Sequence, residues 1–285
     1  MGIKVPNFFI LGAAKCGTTT LYHALCQHPA VFFPAIKEPT FFCESYQVVR
    51  NPIEYFRLFE GVKSEVVVGD ASHAYLTDPE TAPVLNALFP NALFIVILRN
   101  PVDRAYSLYH HMTRSGWENI GTFEKALLVE ERRFQAWGER ALGQQYLYNY
   151  MYYRSGLYGE QVGRYLSLFD RRQFLFLTLD QLKCDVEDTL REIYSFLCVD
   201  EQFQAKTSAR KIGQYGAKVP FLQYSIRMIA DVLGIGGTKI IKKASAYNLK
   251  EVPPMNFHTR RMLAEKYESD QEKLHRLVGM RFEFS

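Results

Sequence analysis

A lysine stands inside a glycine-bracketed turn close to the start of the chain. In "FFILGAAKCGTTTLYHAL", Gly12 and Gly17 have the spacing of the two glycines in the phosphate-cradling pattern GxxxxGK[ST]. The position after Gly17 is Thr18, however, and the lysine comes earlier, at Lys15. The apolar run before the turn reads as a buried strand, and Thr18 to His28 as a helix with Leu21 and Leu25 inward. A strand, a glycine turn and a helix N-terminus make an anion site, because free N–H groups and the helix dipole both favour negative charge. Cys16, Gly17, Thr18, Thr19 and Thr20 would supply the N–H groups and three hydroxyls. Two glycines alone fit an ordinary strand-to-helix turn equally well. Lys15 within the turn and the threonines behind it point to a phosphate or sulfate.

The displaced lysine restricts the chemistry. In nucleotide triphosphatases the loop lysine works with a magnesium ion held by a Ser/Thr and by a carboxylate from another strand. Asp70, after "VVVG", can imitate that carboxylate, so a kinase or nucleotide triphosphatase stays open. A non-catalytic nucleotide or polyanion binder is a third class. A lysine in the turn, however, lies beside the donor's terminal group. There it can neutralise a departing phosphate oxygen without a metal, which suits transfer of the less charged sulfuryl group.

Other residues with chemistry lie at strand ends and loops. Arg99 ends the run "ALFIVIL", and Ser107 is on the helix that follows Asn100 as N-cap and Pro101 as first residue. A guanidinium at the carboxyl end of a parallel strand can fork onto a phosphate. The plainer role for Arg99 is an ion pair with Asp103, and Arg104 reads as a solvated helix residue. Lys37 and Glu38 in "KEPTFF" are adjacent, so Lys37 can lower the pKa of Glu38 or hold an acceptor anion. His73, after the strand "EVVVGD", is a candidate base. His258 near a helix start is a candidate acceptor contact. His110 and His111 are adjacent, face different ways on a helix and make a poor metal pair, so no metal site is expected.

These residues need a scaffold. The chain has 285 residues, 48% of them hydrophobic, with a net charge of +4. That mild basicity suits a small anionic ligand and does not by itself indicate nucleic acid. The five cysteines form no CxxC pair, as expected of reduced thiols in a cytoplasmic protein. No run approaches the ~20 apolar residues of a membrane span, and neither a membrane nor a nucleic acid is expected as partner. Apolar strands alternate with helices, which predicts an α/β fold with a parallel sheet flanked by helices. "DPETAPVLNALFP" predicts a helix capped by Asp78 with Pro79 first, and "LQYSIRMIADVL" and "TRRMLAEKYESDQEKLHRLV" predict two more. One domain over 1–285 is expected, with an aromatic-rich helical insertion near 117–153 and a lid or loop near 206–254. Most of the aromatics, Trp137, Tyr146, Tyr148, Tyr150, Tyr152 and Tyr153, are expected in the core. Some of them, joined by Tyr224 and Met228, could line an acceptor channel.

On these motifs the sequence resembles the sulfotransferases that use 3′-phosphoadenosine-5′-phosphosulfate (PAPS), in their heparan-sulfate-type and bacterial branch. "ILGAAKCGTTTLYHALCQHP" is similar to the family's 5′-phosphosulfate loop, and "FIVILRNPVDRAYSLYHH" to its 3′-phosphate signature. "KEPTFF", "SGLYGEQVGRYLSLF" and "DQLKCDVEDTLREIYSFLCV" support the likeness, which runs nearly the whole chain in the right order. The resemblance implies a P-loop-like sheet with additions forming an acceptor cleft. It implies PAPS as donor, adenosine 3′,5′-bisphosphate (PAP) as product, and in-line transfer without metal. Lys15 would contact the bridging and sulfate oxygens, residues 16–20 the 5′-phosphate, and Arg99 with Ser107 the 3′-phosphate. Arg210 and Lys211 have the look of the basic loop that closes over the nucleotide. Glu38 matches the general base of the heparan-sulfate 3-O-sulfotransferases. Where that branch has a histidine two positions later this chain has Thr40, so acceptor contacts differ. His73 stands where the family often has proline. The chain is also similar to sulfotransferase domains of polyketide and olefin synthases. That likeness implies a β-hydroxyacyl chain on an acyl carrier protein as acceptor, with a glycan or another small-molecule hydroxyl as the alternative.

Overall fold

A computed structural model describes residues 4–136, 145–207, 215–234 and 238–284. In chain order the elements are β1 (Phe8–Gly12), α1 (Thr18–Leu25), β2 (Val31–Phe32), α2 (Pro52–Arg57), β3 (Val67–Ala71), α3 (Ala74–Thr77), α4 (Thr81–Leu88) and β4 (Leu93–Leu98). Then come α5 (Pro101–Arg114), α6 (Phe123–Gln135), α7 (Tyr158–Leu166), β5 (Phe174–Thr178), α8 (Leu179–Cys184) and α9 (Val186–Phe196). The last are β6 (Tyr215–Ala217), α10 (Pro220–Val232), α11 (Lys239–Tyr247), β7 (Leu249–Glu251) and α12 (Phe257–Val278). The chain divides into two compact units. One comprises Met1–Arg99, Tyr158–Ala209 and Asp270–Phe282, the other Asn100–Leu157, Arg210–Ser269 and Glu283–Ser285.

The first unit holds the expected sheet. Its strands run in the order β2-β3-β1-β4-β5, every neighbouring pair parallel. Such a sheet is covered on both faces, so its strands read as continuous apolar runs. All five residues of β1 and all of β4 beyond Leu93 are buried. Register places Phe9 beside Phe94 and Phe94 beside Phe174, and the three rings stack across adjacent strands at 5.9 and 4.8 Å. The helix expected from Asp78 starts later, with Glu80 at the N-cap of α4. Asp78 is buried, and its carboxylate accepts from Ser45 Oγ (3.1 Å) and Thr81 Oγ1 (2.7 Å), so it ties a loop to the helix start rather than capping it.

In the second unit Asn100 caps α5 as expected, accepting from the N–H groups of Val102 and Asp103, with Pro101 first. The core gathers Val102, Ala105, Tyr109, Met112, Phe123 and Tyr152. Arg104 corrects its reading as a solvated residue. It is fully buried and donates to Ser155 Oγ (2.9 Å) and the Tyr152 carbonyl (2.5 Å), anchoring the short helical turn Arg154–Gly156. Glu118 is buried too, gripped by both Nη atoms of Arg133 and by the Tyr152 hydroxyl. Much of the aromatic stretch is therefore core: Tyr146 and Tyr152 are inaccessible, and Tyr148, Tyr150 and Tyr153 half-buried. Trp137 lies outside the described residues. The segment read as lid or loop contains an antiparallel pair, β6 with β7, Tyr215 opposite Glu251, and two helices between its strands.

Candidate active site

The turn after β1 has the geometry its composition foretold. Gly17 stands at the N-cap of α1 with φ 92°, a left-handed value that favours glycine. A Cβ there would fall 2.8 Å from Leu179 Cδ1, so that leucine tip would have to shift to admit a side chain. Among the described residues no side chain caps α1, and its first turn holds no acidic residue. The helix terminus is therefore left open to an external anion. Lys15 is half-buried in the turn, and its backbone is left-handed too, at φ 67°. Thr18 is buried, Thr20 half-buried and Thr19 exposed. Cys16 is buried, its Sγ 3.7 Å from the Tyr158 hydroxyl, which makes it a packing residue.

Arg99 follows β4, the strand beside β1, and the Ala13 amide donates to the Ile97 carbonyl at 2.7 Å. The anion turn and Arg99 thus leave neighbouring strands at their carboxyl ends, the ligand side of such sheets. Asp103 pairs with Arg260 (2.5 Å), not with Arg99. Ser107 is half-buried on α5 in the second unit, and His258 is exposed at the start of α12 there. Arg210 and Lys211 lie outside the described residues.

The structure joins the two candidate bases. His73 Nδ1 lies 3.1 Å from Glu38 Oε2, and Lys37 Nζ donates to Glu38 Oε1. Burial alone would push the Glu38 carboxyl up, but His73 and then Lys37 outweigh it and hold it well below the usual carboxylate range. Glu38 and Thr40 both have left-handed backbones, φ 63° and 49°. For a β-branched threonine that is a true outlier, and such strain persists where the surroundings over-determine it. Those surroundings are visible: the Thr40 amide donates to Ser72 Oγ (3.1 Å), and Thr40 Oγ1 accepts from the Val48 amide (3.0 Å). Thr40 is fully buried, so it holds the loop and has no surface to offer an acceptor, which corrects its expected role.

Sequence reasoning missed what stands under that loop. Asp70 is fully buried, with Oδ1 accepting from Ser72 Oγ (2.7 Å) and Oδ2 from the hydroxyls of Tyr55 and Tyr75 (2.9 Å each). Burial lifts its pKa to about 6 although these hydrogen bonds favour the ion. A carboxylate engaged in this way is a strut and not a metal holder, which removes the feature that kept the kinase reading open. His73 itself reaches the start of the anion turn, because its carbonyl packs on Gly12, where a Cβ would lie 3.2 Å from it.

Residues 5–211 match the sulfotransferase domain family. The chain belongs to the sulfotransferase family. It is a transferase with PAPS as sulfuryl donor and PAP as product. The uncapped helix terminus, the half-buried Lys15 and Arg99 form a donor set that fits the phosphates of that nucleotide. Human carbohydrate sulfotransferase 15 is 32% identical over 68% of this chain and 44% of its own length. Human bifunctional heparan sulfate N-deacetylase/N-sulfotransferase 3 is 27% identical over 96% of the chain and 30% of its own. The chain thus spans less than half the length of these relatives. A sulfotransferase from Alicyclobacillus acidocaldarius, 29% identical, superposes with a TM-score of 0.75 over 98% of both chains. No helix among the described residues is long and apolar enough to cross a membrane.

Proposed function

We propose that the chain moves a sulfuryl group from PAPS to a carbohydrate hydroxyl, with His73 and Glu38 acting together as the base. The observation that carries this is the Glu38–His73 contact at 3.1 Å, on a loop packed against the anion turn. In the step, the acceptor oxygen forms a bond to sulfur as the bond from sulfur to the bridging phosphate oxygen breaks. The acceptor proton passes to the base, and the electron pair of the broken bond leaves with PAP. Lys15 stabilises the charge that grows on the departing phosphate. Residues 16–20 hold the 5′-phosphate, and Arg99 the 3′-phosphate.

The base is divided between two side chains. Glu38 is held so acidic that it accepts a proton poorly, although it is well placed to fix the imidazole. With Nδ1–H donated to Glu38, Nε2 of His73 is left as the acceptor of the proton, and the carboxylate stabilises the imidazolium that forms. Lys37 then steadies Glu38 and does not contact the acceptor.

The carbohydrate acceptor is supported by a relative named for such substrates. The hydroxyacyl carrier-protein acceptor has no comparable support and becomes a control. The test is labelled-donor transfer onto glycans, phenols and a hydroxyacyl carrier protein. Transfer to glycans supports the proposal, and transfer to the carrier protein alone refutes the acceptor assignment.

A further inference from the structure

Helix α10 turns most of its large apolar residues outward. Phe221, Leu222, Met228, Ile229 and Val232 are exposed, as is Leu233 at its C-cap. They fall on two adjacent rows, 221-225-228-232 and 222-226-229-233, which is one face of a helix. The inward side carries buried Pro220, Gln223 and Ala230 and half-buried Arg227. Gln223 Nε2 donates to the Arg114 carbonyl (3.0 Å), and its Oε1 accepts from Asn248 Nδ2 (3.1 Å). The Arg227 guanidinium lies 3.3 Å over the Trp117 ring and donates to the Ser115 carbonyl (3.2 Å). A helix serving only its own core has the opposite arrangement. On α11, Ile240 is exposed too. Contiguous exposed apolar surface of this kind marks an interaction site.

Charge and hydrogen bonding select the occupant. From Pro220 to Tyr247 the basic residues are Arg227, Lys239, Lys242 and Lys243, and the acidic residue is Asp231. Asp231 pairs with Arg227 (3.3 Å), and the three lysines of α11 are exposed. The polar member of the apolar rows, Ser225, turns its hydroxyl back to the Phe221 carbonyl (3.0 Å). The face therefore offers no directional hydrogen bonds, whereas protein interfaces carry about one per 100–200 Å². A second copy meeting this face across a two-fold axis would set lysines against lysines. We propose that α10 and α11 dock on the surface of an anionic lipid bilayer. The apolar rows enter the boundary between headgroups and acyl chains, and Lys239, Lys242 and Lys243 meet the anionic headgroups. This docking lies in the interface plane and needs no membrane-crossing helix. It reverses the expectation that no membrane is a partner, and it does not rest on the sulfuryl-transfer reading.

The experiment is co-sedimentation of the full chain with phosphatidylglycerol–phosphatidylcholine vesicles and with phosphatidylcholine alone. The chain is expected to pellet with the anionic vesicles and at least several-fold less with the zwitterionic ones. A double variant, Ile229→Asp with Leu233→Asp, changes exposed residues, so circular dichroism and the Tm should stay unchanged while binding falls ~10-fold or more. Reversing the three lysines to Glu should weaken binding on the order of 100-fold. The proposal is overturned if the chain stays in the supernatant with anionic vesicles at low salt, or if either folded variant binds like the parent. It is equally overturned if sedimentation velocity shows a dimer that the apolar variant dissolves while vesicles bind nothing.

Discussion

Glu38 and His73 make distinguishable demands on a pH profile. The Glu38 carboxyl is held well below the usual carboxylate range by His73 and Lys37, against the upward push of its burial. If it took the proton itself, kcat/KM would stay level far into acid. The shared base instead predicts an acidic limb that belongs to the imidazole. His73→Ala should lower turnover by ~10²–10⁴-fold and abolish that limb. Glu38→Gln should keep the limb at reduced height, because the amide still contacts the ring but cannot stabilise its charge. A limb that survives His73→Ala would hand the proton to another group. Lys15→Ala addresses the other end of the reaction. It should cut kcat by ~10²–10³-fold and change PAP affinity much less, since its charge is aimed at the departing oxygen. Equal losses in affinity and turnover would make Lys15 a binding residue only.

At the scale of elements, the loop bearing Glu38 depends on the strut at the end of β3. Asp70 titrates near about 6 against an ordinary 3.8, with burial the main cause. A raised acid contributes stability that is full below the unfolded pKa and lost as pH rises through the folded one. Here the window runs from about 3.8 to about 6 and is worth ~3 kcal/mol. Asp70→Asn removes the titration and sets amide hydrogens against hydroxyl donors, a loss of ~1–3 kcal/mol. Its deficit in chemical denaturation should therefore be larger at pH 4.5 than at pH 7.5; a deficit growing with pH would mean that the carboxylate is held ionised. This strut also shows where sequence reading stopped. β1, the anion turn, β4 and the Asn100–Pro101 start of α5 were legible because each has a local signature: apolar runs, glycine spacing, cap chemistry. The Asp70–Ser72–Thr40 chain joins residues 30 positions apart, and no periodicity announces it. Arg104 was misread for a similar reason, since its partners Tyr152 and Ser155 come to it only through folding. A missed signal was present in "LQYSIRMIADVL", whose polar residues Gln223 and Arg227 are spaced i, i+4 and mark the buried side of α10.

For the molecule as a whole, the donor nucleotide is a test of identity that requires no acceptor. A ligand that binds the folded chain and not the unfolded one stabilises it by RT ln(1 + [L]/Kd), ~2.7 kcal/mol at a hundredfold excess over Kd. With ~2–4 °C per kcal/mol for chains of roughly this size, PAP in that excess should raise the Tm by ~5–10 °C. ATP with magnesium should raise it far less, because ATP lacks the 3′-phosphate for which Arg99 is proposed. Arg99→Ala should therefore abolish most of the difference between the two nucleotides while leaving the Tm of the unliganded chain nearly unchanged. That second outcome follows from the site: Arg99 is half-exposed, and Asp103, the carboxylate nearest in sequence, is already paired with Arg260. Should Arg99→Ala instead lower the unliganded Tm by several degrees, the guanidinium would be a structural group. The 3′-phosphate would then need another anchor, and equal shifts from PAP and ATP in the parent chain would point the same way.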